Sequence, residues 1–488
     1  MRIRLLALAA AACLSACTMG PDYRRPDLPL PPAWRMSMPD AADLANADWW
    51  KAFGDPQLDA LIETALQANK DLLLATMRVE QYDARLQVSS AAKYPTVGYT
   101  VAGQRERRSQ ERPNGLRPGD SPSLNNYEIS GNFTWELDLW GRVRRANEAA
   151  RAELLSTEEA RRGVMLSVVS GVATTYLKLV ELDERLAIAR KALKNRQDAL
   201  ELTDQRFKGG SGTRIAVEQA RAAVETEAAR IPPIERDIGD LENAMSALLG
   251  TNPGPVQRRR IESLATPQMP LGVPADVLTR RPDIMAAEQD LIAANARIGV
   301  ARTAYFPVLS LNAILGLAAD DVKWLFAETA RTGNFGGGLA GTVFSGGRIE
   351  GNIREAEAYQ KETVVRYERA VMGALVEVES SLVARSKTGE REAVDARRVR
   401  IQQELARLVR LRYEGGQSTL TDVLDAELKV LDMQEQQLQS RRDTLLSLVS
   451  VYKSMGGGWM VERDKRREAA SGDLAAQVRS ETELEAKR

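Results

Sequence analysis

Asp422 and Asp425 are the residues whose type and spacing point most directly to chemistry. They follow a Gly415-Gly416 pair and stand three residues apart, which puts both on one face of a helix. Thr419-x-x-Asp422 also has the form of a capping box, so Asp422 has a helix-start reading beside a charge-presenting one. What is missing narrows the chemistry further. The 488-residue chain has no histidine, which removes the commonest general base and the commonest zinc ligand. Its two cysteines, Cys13 and Cys17, both lie at the extreme N-terminus, so the body of the chain has no thiol for a disulfide or metal site. No Gly-rich loop follows a strand as a phosphate cradle requires. The expectation is therefore no enzyme and no cofactor or metal. Lys+Arg and Asp+Glu both number 67, so no net charge argues for nucleic acid.

The compartment is written before Cys17. Arg2 and Arg4, the apolar run Leu5 to Ala12 and the small residues of Leu14-Ser15-Ala16-Cys17 form a secretory signal over residues 1–16. The run is too short for a permanent spanning helix, which needs about 20 apolar residues. The Leu-Ser-Ala-Cys ending resembles the lipobox of bacterial lipoproteins, in which the cysteine is diacylated and becomes the new N-terminus. Two acyl chains suffice for stable anchoring. Thr18, not aspartate, follows Cys17; by resemblance to lipoprotein sorting rules this favours delivery to the outer membrane.

The elements that position these residues come in two copies. Arg206-Phe207-Lys208-Gly209-Gly210 recurs as Arg412-Tyr413-Glu414-Gly415-Gly416, 206 residues later, and Gly141-Arg142-Val143 recurs as Gly347-Arg348-Ile349 at the same separation. Tyr94-Pro95 recurs as Phe306-Pro307 at 212. The chain divides into a lipidated N-terminal segment (17–54), a first repeat (55–250), a Pro-rich linker (251–276), a second repeat (277–460) and a polar tail (461–488) expected to be mobile.

Each repeat reads as helix, two strands, then two helices. Residues 57–93 lack Pro and Gly and predict one helix; 96–103 predict a strand, and 104–126 an exposed loop. From Tyr127 to Leu139 apolar and polar residues alternate strictly. Leu309, Leu311, Ala313, Leu315 and Leu317 share one face of a later strand; Phe335, Gly337, Leu339, Gly341 and Val343 share one face of the next. Alternation alone also fits a soluble hairpin with one face on a core. Strands of about 10 residues are, however, long enough to cross a bilayer when tilted. Four strands cannot close a barrel and open edges are forbidden in lipid, whereas three chains would supply twelve. Arg142 to Phe207 and Ile349 to Tyr413 contain no proline and predict helices of roughly 100 Å, with Leu186, Leu193, Leu200 and Phe207 at coiled-coil spacing. Gly209-Gly210 and Gly415-Gly416 end them. Pro232-Pro233 should kink the first return helix.

Leu278-Thr-Arg-Arg281-Pro282-Asp283, Ile298-Gly299-Val300-Ala301, Phe306-Pro307, Asp48-Trp49-Trp50 and Trp140-Gly141-Arg142 resemble the signature of the outer-membrane factor family, the TolC-like channels, and within it the lipoprotein (NodT-like) branch of RND-type drug-efflux channels. The resemblance covers residues 1 to 460. It implies a mainly α fold with a small β part: a homotrimer with a twelve-stranded outer-membrane barrel, four strands per chain, continued by a periplasmic α-helical barrel of coiled-coil hairpins. It implies a passive exit duct for drugs or other small molecules from an RND-type inner-membrane transporter through a periplasmic adaptor (membrane fusion protein). A coiled-coil lipoprotein scaffold or adaptor, or the duct of a type I secretion system, are the alternatives. By the same resemblance Asp422, Asp425 and Tyr413 belong to a periplasmic gate. Six carboxylates from three chains would then form a ring of the kind that favours cations, with some raised in pKa by mutual repulsion. The tips that meet the adaptor comprise Arg206, Phe207, Gly209, Gly210, Gly212 and Thr213 in one copy, and Arg412, Gly415, Gly416, Ser418 and Thr419 in the other. Ile215 and Ala216 depart from relatives that carry polar locking partners there.

Overall fold

The computed structural model describes residues 18–35, 48–107, 123–267 and 274–457. The expected signal, Cys17 and the tail 461–488 lie outside them. Two compact units are present. Of the described residues, one unit gathers 18–27 with those of Val79–Thr157 and Ala287–Tyr367; the other holds those of Leu28–Arg78 and Glu158–Ala286, with residues 368–457.

The first repeat runs α1 (Pro56–Ala68), α2 (Lys70–Ala91), β1 (Thr96–Arg107), β2 (Ser123–Leu137), α3 (Arg142–Lys208), α4 (Arg214–Ala228) and α5 (Ile231–Leu249). The second runs α6 (Pro274–Arg280), α7 (Pro282–Thr303), β3 (Val308–Ala319), β4 (Arg331–Ala340), α8 (Arg348–Glu414) and α9 (Leu420–Ser454). Equivalent elements match closely: α3 and α8 each have 67 residues, α2 and α7 each 22.

Four details depart from the sequence expectations. The single helix over 57–93 is two, because Asn69 leaves the helical conformation and its side chain accepts the Leu72 amide, starting α2 anew. Residues 104–107 and 123–126 belong to β1 and β2 rather than to a loop, since ladder pairing continues out to Arg107 opposite Ser123. Strand β2 ends at Leu137, leaving Leu139 outside it. Gly341 and Val343 lie past the end of β4, where pairing with β3 stops at Ala340. Where a kink was expected, the first return helix is interrupted at Ala229-Arg230, just before Pro232-Pro233. It stops at Ala228 and resumes at Ile231, since neither proline has an N–H for the preceding turn. Its counterpart α9 has no proline and is unbroken.

The sheet is antiparallel in the order β1-β2-β3-β4. Its register places Tyr99 beside Gly131, Gly131 beside Leu315, Phe133 beside Ala313, and Ala313 beside Phe335. Side chains alternate between faces along a strand, so one face collects Val97, Tyr99, Ile129, Phe133, Trp135, Leu311, Leu315, Phe335 and Leu339. The other carries Thr100, Glu128, Ser130, Asn132, Thr134 and Asn312. Among the described residues no core covers the apolar face: Tyr99, Leu315 and Phe335 are 85%, 70% and 78% exposed. A hairpin resting on a soluble core would bury them.

The second unit has a conventional core. Trp49, Trp50, Phe53, Leu58 and Ile62 pack on Val169, Val172, Tyr176 and Leu179 of α3 and on Leu445, Leu448 and Tyr452 of α9. Trp49 stacks on Tyr452 at 5.0 Å. The Asp48-Trp49-Trp50 signature is thus a plug of this core, and Asp55 caps α1 while accepting the Tyr176 hydroxyl. The stretch of α3 apolar enough to cross a membrane is mostly buried in this unit. Both repeats close their last helix alike. Asn69 Nδ2 donates to the Leu248 carbonyl at 2.8 Å, and its equivalent Arg281 donates through Nη1 to the Ser454 carbonyl at 2.7 Å. Removing either donor strands a carbonyl at a helix end, which costs about 1–3 kcal/mol. Asn69→Ala and Arg281→Ala are each expected to lower the thermal unfolding temperature in detergent relative to the unmodified chain. An unchanged midpoint would show that water replaces the lost donor.

Candidate functional site: the paired tips and the N-terminal strap

The two long helices end in the same way. At the first tip the Ser211 amide reaches back to the Arg206 carbonyl at 2.9 Å and the Gly210 amide to Phe207 at 3.0 Å. At the second, Gln417 reaches Arg412 at 2.8 Å and Gly416 reaches Tyr413 at 2.9 Å. This pair of bonds requires a left-handed residue after the helix. Gly210 and Gly416 supply it at φ 75° and 74°. Gly212 tightens the first turn: a Cβ there would stand 2.9 Å from the Phe207 nitrogen.

The restarts differ. Thr213 caps α4 by accepting the Ala216 amide at 3.2 Å, and nothing returns from Ala216. Thr419 caps α9 by accepting the Asp422 amide at 3.2 Å, and Asp422 Oδ2 accepts the Thr419 amide at 2.8 Å. The Ser418 and Thr419 hydroxyls also reach Asp422 Oδ2. Asp422 is therefore a capping-box residue. The Thr419 amide, with the two hydroxyls, holds its carboxyl below the usual carboxylate range. The expected upward shift is not present at Asp422 in the single chain, where these donors favour the charged form.

The structure brings the two tips together through Arg206, whose Nη2 donates to the Tyr413 hydroxyl at 2.7 Å. Asp425, one turn beyond the box, lies 3.8 Å from the mostly buried guanidinium of Arg196 on α3. Arg196 is not legible as a partner in the sequence, because no local spacing says that α3 runs beside α9. Further along, α9 is tied to α3 through Arg185 and Glu435 at 2.7 Å, and through Glu181 and Arg442 at 3.2 Å. Arg230, at the break between α4 and α5, also pairs with Glu435.

A second constellation lies in the other unit. Residues 18–25, which directly follow Cys17, form a strap. Thr18 packs against Gly141, where a Cβ would stand 2.8 Å from Thr18 Cγ2. The Met19 amide donates to the Trp140 carbonyl at 3.1 Å, and Arg145 reaches Met19 and Asp22. Arg25 forks onto Glu288 at 2.7 and 2.5 Å, and Tyr23 donates to the same carboxylate at 2.9 Å. The strap crosses Gly299 so closely that a Cβ there would meet the Met19 carbonyl at 2.7 Å. This explains Ile298-Gly299 and Trp140-Gly141 as parts of one seat. The seat lies at the turn between β2 and α3, where Asp138 accepts the Val143 and Arg144 amides and starts α3.

The family model described as outer membrane efflux protein matches residues 61–251 and 273–457. The chain belongs to the outer membrane efflux protein family. It is 32% identical over 462 residues to the cation efflux system protein CusC of Escherichia coli O157:H7, covering 93% of this chain and 99% of that one. It is equally identical over 474 residues to the toluene efflux pump outer membrane protein TtgI of Pseudomonas putida, covering 95% and 100%. Its fold resembles the open state of the Neisseria gonorrhoeae MtrE outer membrane channel, with TM-score 0.82, 28% identity, and coverage of 91% and 99%. The chain is thus an outer-membrane efflux channel extending into the periplasm, mainly helical with a small sheet.

The depressed Asp422 carboxyl fixes a pH dependence. A folded pKa below the unfolded one stabilises the charged box above the unfolded value. That contribution is lost as pH falls through the depressed folded value. Hydrogen exchange at the first amides of α9, corrected for intrinsic rate, should therefore show less protection in acid than at neutral pH. Asp422→Asn should blunt that difference.

Proposed function

We propose that three copies of this chain close a twelve-stranded barrel in the outer membrane and extend it as a periplasmic tunnel of helices, the passive exit duct of a tripartite efflux system. The observation that carries the reading is the sheet: one continuous apolar face left uncovered, between two edge strands, β1 and β4, with no partner among the described residues. In lipid every backbone donor and acceptor must be paired, so such edges must close on other chains. The two-faced sheet also speaks against a coiled-coil scaffold, which needs none.

In this reading the tips around Gly210 and Gly416 meet a periplasmic adaptor that joins the duct to an RND-type inner-membrane pump. CusC is named for cations and TtgI for toluene at equal identity, so the choice of substrate is assigned to the pump. No catalytic step is assigned to the chain. Tyr413, Asp422 and Asp425 form the periplasmic gate, Asp422 combining this with its helix-start role. Cys17 carries the lipid anchor. The strap supports this, since it delivers the residue after Cys17 to the strand-to-helix turn, where a barrel leaves the membrane.

Two experiments test the assignment. Cys17→Ser should abolish acyl labelling while the barrel still holds the protein in the membrane fraction; labelling that persists would refute the anchor. Replacing Asp422 and Asp425 by alanine should raise conductance and lower cation selectivity in planar bilayers. Unchanged conductance and selectivity, with only a lower melting temperature, would reduce both residues to helix-start roles.

A further inference from the structure

The apolar face of the sheet changes character towards one end. Alternation puts Arg105 and Arg107 of β1 on the same face as Val97 and Tyr99, and Arg331 of β4 on the same face as Phe335 and Leu339. At the opposite end of the sheet β2 and β4 lead into α3 and α8, so the three arginines mark the end that points away from the periplasm. Arg105 stands eight residues beyond Val97, and Arg331 eight residues before Leu339. A strand tilted by about 40° climbs about 2.5 Å of membrane depth per residue, so both arginines stand roughly 20 Å above those apolar side chains. The apolar band of an outer-membrane barrel is about 25 Å tall. The guanidinium groups therefore reach the level of the outer-leaflet headgroups.

Charge separates between the two faces here. In the outer half of the sheet the carboxylates Glu106 and Glu128 lie on the other face, with Gln104 and Asn126. Among the described residues no acidic residue of a strand shares the face of the three arginines, and all three are exposed. Arg331 lies 3.8 Å from Glu328, too far for a hydrogen bond, and Arg105 and Arg107 have no carboxylate partner among the described residues. In the connection from β3 to β4, Trp324 and Phe326 are exposed, and aromatic side chains of this kind settle at a membrane interface. Closing β4 on β1 of the next chain sets Arg331 near Arg105 of the partner subunit and Arg107 of the partner subunit. Each junction between chains thus carries a basic cluster that faces lipid.

We propose that these clusters bind the phosphate groups of a phosphorylated glycolipid of the outer leaflet, one lipid at each junction between chains. The proposal rests on the trimeric reading above. Arginine forks match phosphate oxygens in pairs, and a cation at headgroup depth is attracted to anionic lipid. Below the arginines, Val101 and Phe335 on the same face offer apolar surface to the acyl chains. A lipid held there spans the seam at which the edge strands of two chains join.

The test compares two lipids that differ only in phosphate. Purified full-length protein, stripped of lipid in detergent, is titrated with bisphosphorylated lipid A and with the same lipid after both phosphates are removed. Native mass spectrometry counts the bound lipid and reports the mass of the assembly. The phosphorylated form should bind one lipid per junction, about tenfold or more tightly than the dephosphorylated form. R105Q/R107Q and R331Q should each reduce that preference several-fold while the trimer mass is kept. Equal affinity of the unmodified protein for the two lipids would overturn the proposal without recourse to any variant. An R331Q protein that keeps the full preference would overturn the placement at the junction. Millimolar inorganic phosphate should leave the lipid bound; displacement would mark a site for free anions and overturn the lipid assignment. A monomeric unmodified protein would instead remove the trimeric reading, and the junction with it.

Discussion

A sheet with one greasy face and two open edges can be at peace in neither water nor lipid, and the rest of this structure follows from that constraint. In water the uncovered apolar face attracts any other apolar surface. In hydrocarbon the unpaired amides and carbonyls of β1 and β4 would each cost several kcal/mol. Pairing β4 of one chain with β1 of the next satisfies the edges, and lipid then covers the apolar face. The long helices continue from this sheet, because α3 and α8 each follow the second strand of a hairpin.

Internal duplication makes that arrangement economical, and its imperfections are informative. Both tips keep the helix-ending glycine, and both final helices keep a side-chain donor to a terminal carbonyl, Asn69 in one copy and Arg281 in the other. The copies part at two points. The return helix is broken by Pro232-Pro233 in the first and continuous in the second. The charged pair Arg196–Asp425 has the neutral Gln402 and Gln219 as its counterparts.

Local signals are legible in this sequence and distant pairings are not. The alternation from Tyr127 to Leu137 announces β2, since period two survives in composition alone. Thr419-x-x-Asp422 announces its box, since both partners lie within one turn. The outer ends of the strands read as loop, because Gln104 to Arg107 and Ser123 to Asn126 are strongly polar and are held in the sheet by ladder bonds. The break at Asn69 is hard to see, because no Pro or Gly marks it; an asparagine before Lys70-Asp71 is the available clue. The tryptophans at 49 and 50 stand out as a motif, yet their role as a core plug depends on α3 and α9, which join them from far along the chain.

The central claim is that the sheet closes only between chains, and the mass of the assembly tests it most directly. Protein extracted gently from the outer membrane and measured by native mass spectrometry should have the mass of three chains, and circular dichroism of that species should retain the strand content. A monodisperse single chain with its strands intact would contradict the account, because its β1 and β4 edges would then be stable without partners.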